Sequence, residues 1–141
     1  MLTPDKEAEK RFIANSKNLA IILEFVNEFV HSCMTSAKVK KQIELAVEEM
    51  VVNIIQYAYD GKDGPLDIRL SQQDSKLLQI ELIDWGQRFD PTRLAAKDLS
   101  VDKIEELEEG GLGIFLANQV MDNIQYQRLG TENHLLMRKD F

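Results

Sequence analysis

The chain has 141 residues, 44% of them apolar, which supports one hydrophobic core and leaves little room for a second domain. A formal net charge of −7 argues against a nucleic-acid surface and favours protein or small-ligand partners. The single cysteine, Cys33, excludes an internal disulfide, and the charged opening MLTPDKEAEKRF and the absence of a long apolar run argue against a signal peptide or a membrane span, so the cytoplasm is the expected location.

A short strand is predicted over residues 10–14, and Asn15-Ser16 is a helix-start signal. Residues 17–34 carry Leu19, Ile22, Leu23, Val26, Phe29 and Val30 at helical period. His31 reads as a surface or packing residue on that helix, and Cys33 as a buried thiol. Thr35-Ser36-Ala37 is a break with a candidate N-cap.

The helix predicted over residues 38–59 organises the chain. Ile43, Ala46, Val47, Met50, Val51, Ile54, Ile55 and Ala58 form its core strip. Glu49 and Asn53 flank that strip; at about 100° per residue they lie about 40° apart around the axis and one turn apart along it. A carboxylate and a carboxamide thus project together, as either a solvated helix edge or half of a site.

Residues 59–65, YDGKDGP, end the helix. A hairpin follows, with strands at 66–70 and 77–83. Residues 91–109 show little strand signal and read as a functional loop or lid, with a short amphipathic helix at 103–109. Gly110, Gly111, Leu112 and Gly113 open a helix, and strands at 122–129 and 133–138 close the chain around Gly130-Thr131. The order β-α-α-β-β-lid-α-β-β predicts one domain, a two-layer α/β sandwich with about three helices on one face of a mixed, mostly antiparallel sheet.

Two further stretches carry chemistry. In IDWGQRFD, residues 83–90, Asp84 at a strand end can accept a hydrogen bond from an exocyclic amine, and Gly86 lets backbone approach a flat ring; the same pair also suits an ordinary turn. Trp85, within it, either contacts a base or packs. In EEGGLGIFL, residues 108–116, glycines ahead of a helix expose N–H groups that can cradle phosphates or simply start the helix. No Gly-Lys-Ser/Thr follows, so this is not the lysine-containing phosphate loop. With Glu49 and Asn53 the three stretches compose a nucleotide site. The Asn53 oxygen suits one position of a Mg²⁺ ion that takes its other ligands from phosphates and water, and Glu49 suits a general base.

E-x-x-x-N on a helix, then D-x-G-x-x-F-D, a lid and G-G-L-G-I-F-L resembles the GHKL ATPase superfamily. AVEEMVVNIIQYAY and EEGGLGIFLANQVMD are most similar to its small anti-sigma factor serine/threonine kinases. The resemblance implies a histidine kinase-like ATPase fold, ATP and Mg²⁺ as cofactors, and a sigma factor and an anti-sigma antagonist protein as partners of a homodimer. It places Glu49 as catalytic base and Asn53 as Mg²⁺ ligand. Asp84 and Gly86 fall at the adenine, Gly110, Gly111, Leu112 and Gly113 at the phosphates, and Thr131 beside the adenine. Glu48, about 100° round the helix from Glu49, reads as surface. One departure stands out. Glu108 and Glu109 occupy the place where many such kinases carry an arginine for the terminal phosphate, which leaves Arg93, Lys97, Lys103 or a partner residue to meet it. Three readings stay open: a kinase that holds a sigma factor, a nucleotide-dependent switch without phosphotransfer, and a detached histidine kinase ATPase domain, which the missing phosphoacceptor hairpin disfavours.

Overall fold

The computed structural model describes residues 5–33, 35–93 and 111–141. Five strands form one sheet in the order β1-β2-β3-β5-β4, with β1 at Lys6–Ala14, β2 at Gly64–Gln73, β3 at Leu77–Asp84, β4 at Asn123–Leu129 and β5 at Glu132–Asp140. Three α-helices, α1 at Leu19–His31, α2 at Ala37–Asn53 and α3 at Gly111–Val120, pack with the sheet in a single apolar cluster. All four strand pairings are antiparallel, where a mixed but mostly antiparallel sheet was expected. The difference lies in β5, which folds back along β4 and enters the sheet between β4 and β3.

Alternation decides which face each strand buries. Leu66, Ile68 and Leu70 of β2, Leu78, Ile80 and Leu82 of β3, and Leu135 and Met137 of β5 point into the core. There they join Ile22, Val26 and Val30 of α1, Ile43, Val47, Met50 and Val51 of α2, and Ile114 and Ala117 of α3. Burial also raises the pKa of the Cys33 thiol. The other sheet face carries charge in alternating sign across strands: Glu9, Arg69 and Glu81 lie in one row, with Arg69 bonded to both carboxylates. Such cross-strand pairs support the sheet at its exposed face.

Helix α2 begins at an N-cap, Ser36, whose side chain accepts from the Val39 N–H. The predicted helix to residue 59 is α-helical only to Asn53; Ile54–Ala58 is a π-turn, closed by the Tyr59 N–H on the Ile54 carbonyl at 3.1 Å. Periodicity could not show this, because a π-turn changes the register by one residue without changing composition. Its effect is positional. The Tyr59 hydroxyl donates to the Pro65 carbonyl and accepts from the Trp85 N–H at 2.8 Å, and its ring fills the space a side chain at Gly64 would need. The Gln87 backbone and side chain take the Ala58 and Tyr57 carbonyls at 2.8 and 2.6 Å, satisfying acceptors that a helix end leaves open. The end of β3 is therefore pinned to the end of the central helix.

The lid expected at 91–109, its helix at 103–109, and Gly110 lie outside the described residues, apart from a short 3₁₀ turn at Pro91–Arg93. Among the described residues no helix is long and apolar enough to cross a membrane.

Tyr59→Phe keeps the ring and deletes only the hydroxyl. The half-buried Trp85 N–H and Pro65 carbonyl each lose a partner, so thermal or urea unfolding should show a loss of about 1–3 kcal/mol. An unchanged midpoint would show that this clamp does not hold the two layers together.

Candidate nucleotide site

Asn53 closes α2 facing inward, 2% exposed. Its Nδ2 donates to the Glu49 carbonyl one turn earlier at 2.7 Å. Its Oδ1 is buried with no hydrogen-bond partner. An unpaired buried carbonyl oxygen costs about 1–3 kcal/mol, and a hard cation is the kind of partner that offsets it. Asn53 therefore fits an Mg²⁺ ion that draws its remaining ligands from phosphates and water. Among the described residues no group of three or more His, Cys, Asp or Glu could hold a metal without such help.

Asp84 ends β3 on the inner face of the sheet, 3% exposed. It lines one narrow cavity with Met50, Asn53, Ile54, Phe89 and Asn133. Its Oδ1 accepts from the Gly86 N–H at 2.9 Å and from Asn133 Nδ2 at 2.8 Å. Burial pushes the carboxyl above the usual range, and these bonds, with Arg128 and His134 nearby, pull it partly back. The cavity has room for about one water molecule, so an adenine ring requires Phe89, Pro91 or Tyr126 to move aside. Phe89 stacks on Tyr57, ring centroids 4.9 Å apart and nearly parallel.

The remaining expected residues divide. Gly113 lies in the first turn of α3, and a side chain there would strike the Glu49 carboxylate, so α3 meets α2 at the expected base. Glu49 is half-buried, and so is Glu48, which the sequence placed at the surface. Gly111 and Leu112 open α3, so Gly111 and Gly113 lie inside the helix rather than ahead of it. The space beside Gly86 is taken by the Ala58 carbonyl, so its missing side chain serves a close approach of turn to helix. Trp85 faces away from Asp84 and lies under the Arg11 guanidinium at 4.9 Å, beside the Arg11–Asp67 ion pair; of the two sequence readings, packing describes it. Thr131 sits exposed in the β4–β5 turn. Two residues on, Asn133 occupies the position against Asp84. Its signal in the sequence was faint: an Asn at an inward position of an alternating strand, where an apolar residue belongs.

The raised carboxyl pKa of Asp84 makes a stability prediction. The folded state holds this proton more tightly than the unfolded chain, so ionisation costs stability as pH climbs through the interval between the two pKa values. Asp84→Asn keeps an acceptor for Gly86 and Asn133 and removes that cost. Its melting temperature relative to the unsubstituted protein should therefore rise as pH goes from about 4 to 7. A gap that shrinks over that range would contradict the assigned burial of charge.

Comparison with known proteins gives the family. Residues 12–139 match the family model described as the histidine kinase-like ATPase domain. The anti-sigma F factor of Clostridium acetobutylicum is 27% identical over 138 residues, covering 97% of this chain and 95% of that protein. That of Caldanaerobacter subterraneus subsp. tengcongensis is 29% identical over 119 residues, 84% of this chain and 82% of that one. The serine-protein kinase RsbW of Bacillus pumilus is 32% identical over 94 residues, 62% of this chain and 57% of that one. Among solved structures, the RsbU and RsbW domains of a Mycobacterium tuberculosis protein superpose with a TM-score of 0.66 at 13% identity, over 97% of this chain and 33% of theirs. The SiaB-SiaC complex of Pseudomonas aeruginosa gives 0.59 at 12%, over 94% of this chain and 89% of the matched one. At such identities the two structures speak for the fold. The match across residues 12–139 speaks for more: this chain belongs to the histidine kinase-like ATPase domain family.

Proposed function

We propose that the chain binds ATP with Mg²⁺ between α2, α3 and the end of β3, and acts as a serine/threonine protein kinase of the anti-sigma factor type. Its substrate is a serine or threonine on a small antagonist protein, and the other partner it holds is a sigma factor. The whole chain works as one ATP-binding unit, as a homodimer in the cytoplasm. The observation that carries this reading is the Asn53 oxygen, buried and unpaired, in the same cavity as the Asp84 carboxylate. The names of the anti-sigma F and RsbW relatives support the choice of partners.

In this reading Asp84 accepts a hydrogen bond from the exocyclic amine of adenine. The opening turn of α3, Gly111, Leu112 and Gly113, with Gly110 before it in the sequence, receives the phosphates, where a helix N-terminus favours negative charge. Asn53 Oδ1 is the protein's ligand to Mg²⁺, which when bound neutralises charge on the phosphate oxygens. Glu49 takes the proton from the attacking serine or threonine hydroxyl. Its carboxylate is held against Gly113, and its carbonyl is tied to Asn53, so base and metal ligand move as one piece of α2.

A second reading has one observation in its favour. Glu108 and Glu109 precede the glycines, and a carboxylate there repels a terminal phosphate. On that reading the chain is a nucleotide-dependent switch that holds partners without phosphotransfer.

Labelled ATP, Mg²⁺ and candidate antagonists distinguish the two. Glu49→Gln should bind ATP near the unsubstituted level while transfer drops by roughly 10² to 10⁴. Asn53→Ala should weaken Mg²⁺-dependent ATP binding itself. Transfer at full rate by Glu49→Gln removes Glu49 from the chemistry; ATP binding with no labelled antagonist, in the unsubstituted protein, favours the switch.

A further inference from the structure

Asn133 is 3% exposed and makes four hydrogen bonds. Its Nδ2 donates to Asp84 Oδ1 and to the Gln87 carbonyl, both at 2.8 Å. Its Oδ1 accepts from Arg128 Nη1 at 3.0 Å and from the Tyr126 hydroxyl. Donors stand on one side of the amide and acceptors on the other, so only one orientation fits. Arg128 is itself fixed, Nη1 also reaching the Gly86 carbonyl at 2.8 Å and Nε the Gly130 carbonyl at 3.0 Å. The chain of bonds runs from β4 through Asn133 to Asp84 and closes on the turn that follows Asp84.

We infer that Asn133, oriented by Arg128 and Tyr126, is the positioning residue that sets which nucleobase the Asp84 pocket accepts. This rests on the reading of Asp84 as the adenine contact. Two N–H groups engage Oδ1, which fixes the rotation of the carboxylate and leaves Oδ2 for the ligand. A locked, ionised carboxylate only accepts. It takes the exocyclic amine of adenine and repels the carbonyl that guanine carries at the same ring position. Without the Asn133 donor the carboxylate turns, and burial favours its protonated form, which donates and tolerates a carbonyl. Without Arg128 the amide can reverse and present its own oxygen to Asp84, with the same result.

The test uses the intact protein with Mg-ATP and Mg-GTP, titrated by calorimetry. Asn133→Asp is isosteric: it keeps acceptors for Arg128 and Tyr126 and loses the donor to Asp84. The ATP-over-GTP preference should fall roughly tenfold or more in N133D, N133L and R128L, the span expected for one buried hydrogen bond. N133L removes the same donor without adding a carboxylate, so an equal loss in N133D and N133L assigns the effect to the missing N–H rather than to a new charge beside Asp84. If N133L does not fold, N133D and R128L carry the comparison. Preference intact in N133D and R128L but lost in D84N overturns the inference and leaves the adenine reading standing. No preference in the unsubstituted protein, or preference intact in D84N, overturns the adenine reading and this inference with it.

Discussion

A carboxylate buried on the inner face of a sheet is the constraint on which this architecture depends. Asp84 stands where its strand neighbours Leu82 and Ile80 fill the core. An ionised group in that position survives only if donors are brought to it. One donor is the Gly86 N–H, which requires the chain to turn at once after β3. The other is Asn133, which requires β5 rather than β4 to lie beside β3. Strand order and turn geometry together bring both donors to one oxygen.

The second half of the cavity comes from α2, and it carries the opposite imbalance: an acceptor, Asn53 Oδ1, that nothing in the described protein satisfies. One wall thus holds a carboxylate engaged at one oxygen, the other an amide oxygen with no partner, and Met50, Ile54 and Leu135 also line the cavity. The walls are held in register by Tyr59 and Gln87, which couple the π-turn after Asn53 to the turn after Asp84. A displacement at either turn is felt at the other through bonds of 2.6 to 2.8 Å. Packing alone would allow the layers to slide; directional bonds at the seam do not.

Much of this was legible in the sequence because it is written in periodicity. The core strip of α2, the alternation of β2 and β3, and the closing hairpin all follow from side-chain spacing. Glu49, Asn53, Asp84 and Gly113 stood out because polar or glycine residues interrupted those patterns. Three things were not legible. The π-turn leaves composition untouched. The all-antiparallel sheet depends on where β5 inserts, a long-range pairing with no local signature. Asn133 looked like one more polar residue in a strand, and attention fell on Thr131, two positions away; on an alternating strand that offset keeps the face, but the hairpin turn ends between them. Gly86 was noticed for the space it leaves to a ligand, whereas the neighbour that fills its space is the Ala58 carbonyl.

The place of β5 has a consequence for the order in which the molecule is made. The last strand of the chain is an interior strand of the sheet, between β3 and β4. Asp84 leaves the ribosome 49 residues ahead of Asn133. At bacterial and eukaryotic elongation rates of about 5–20 residues per second, that is an interval of roughly 2–10 s. Throughout it β3 has an open edge, and its carboxylate lacks the donor that holds it. The nascent chain can build α1, α2 and the first three strands, with Glu49 and Asn53 in place on their helix, but it has no finished wall on the other side of the cavity. A product truncated before β5 would carry the helix residues and an unpaired strand edge prone to foreign pairing.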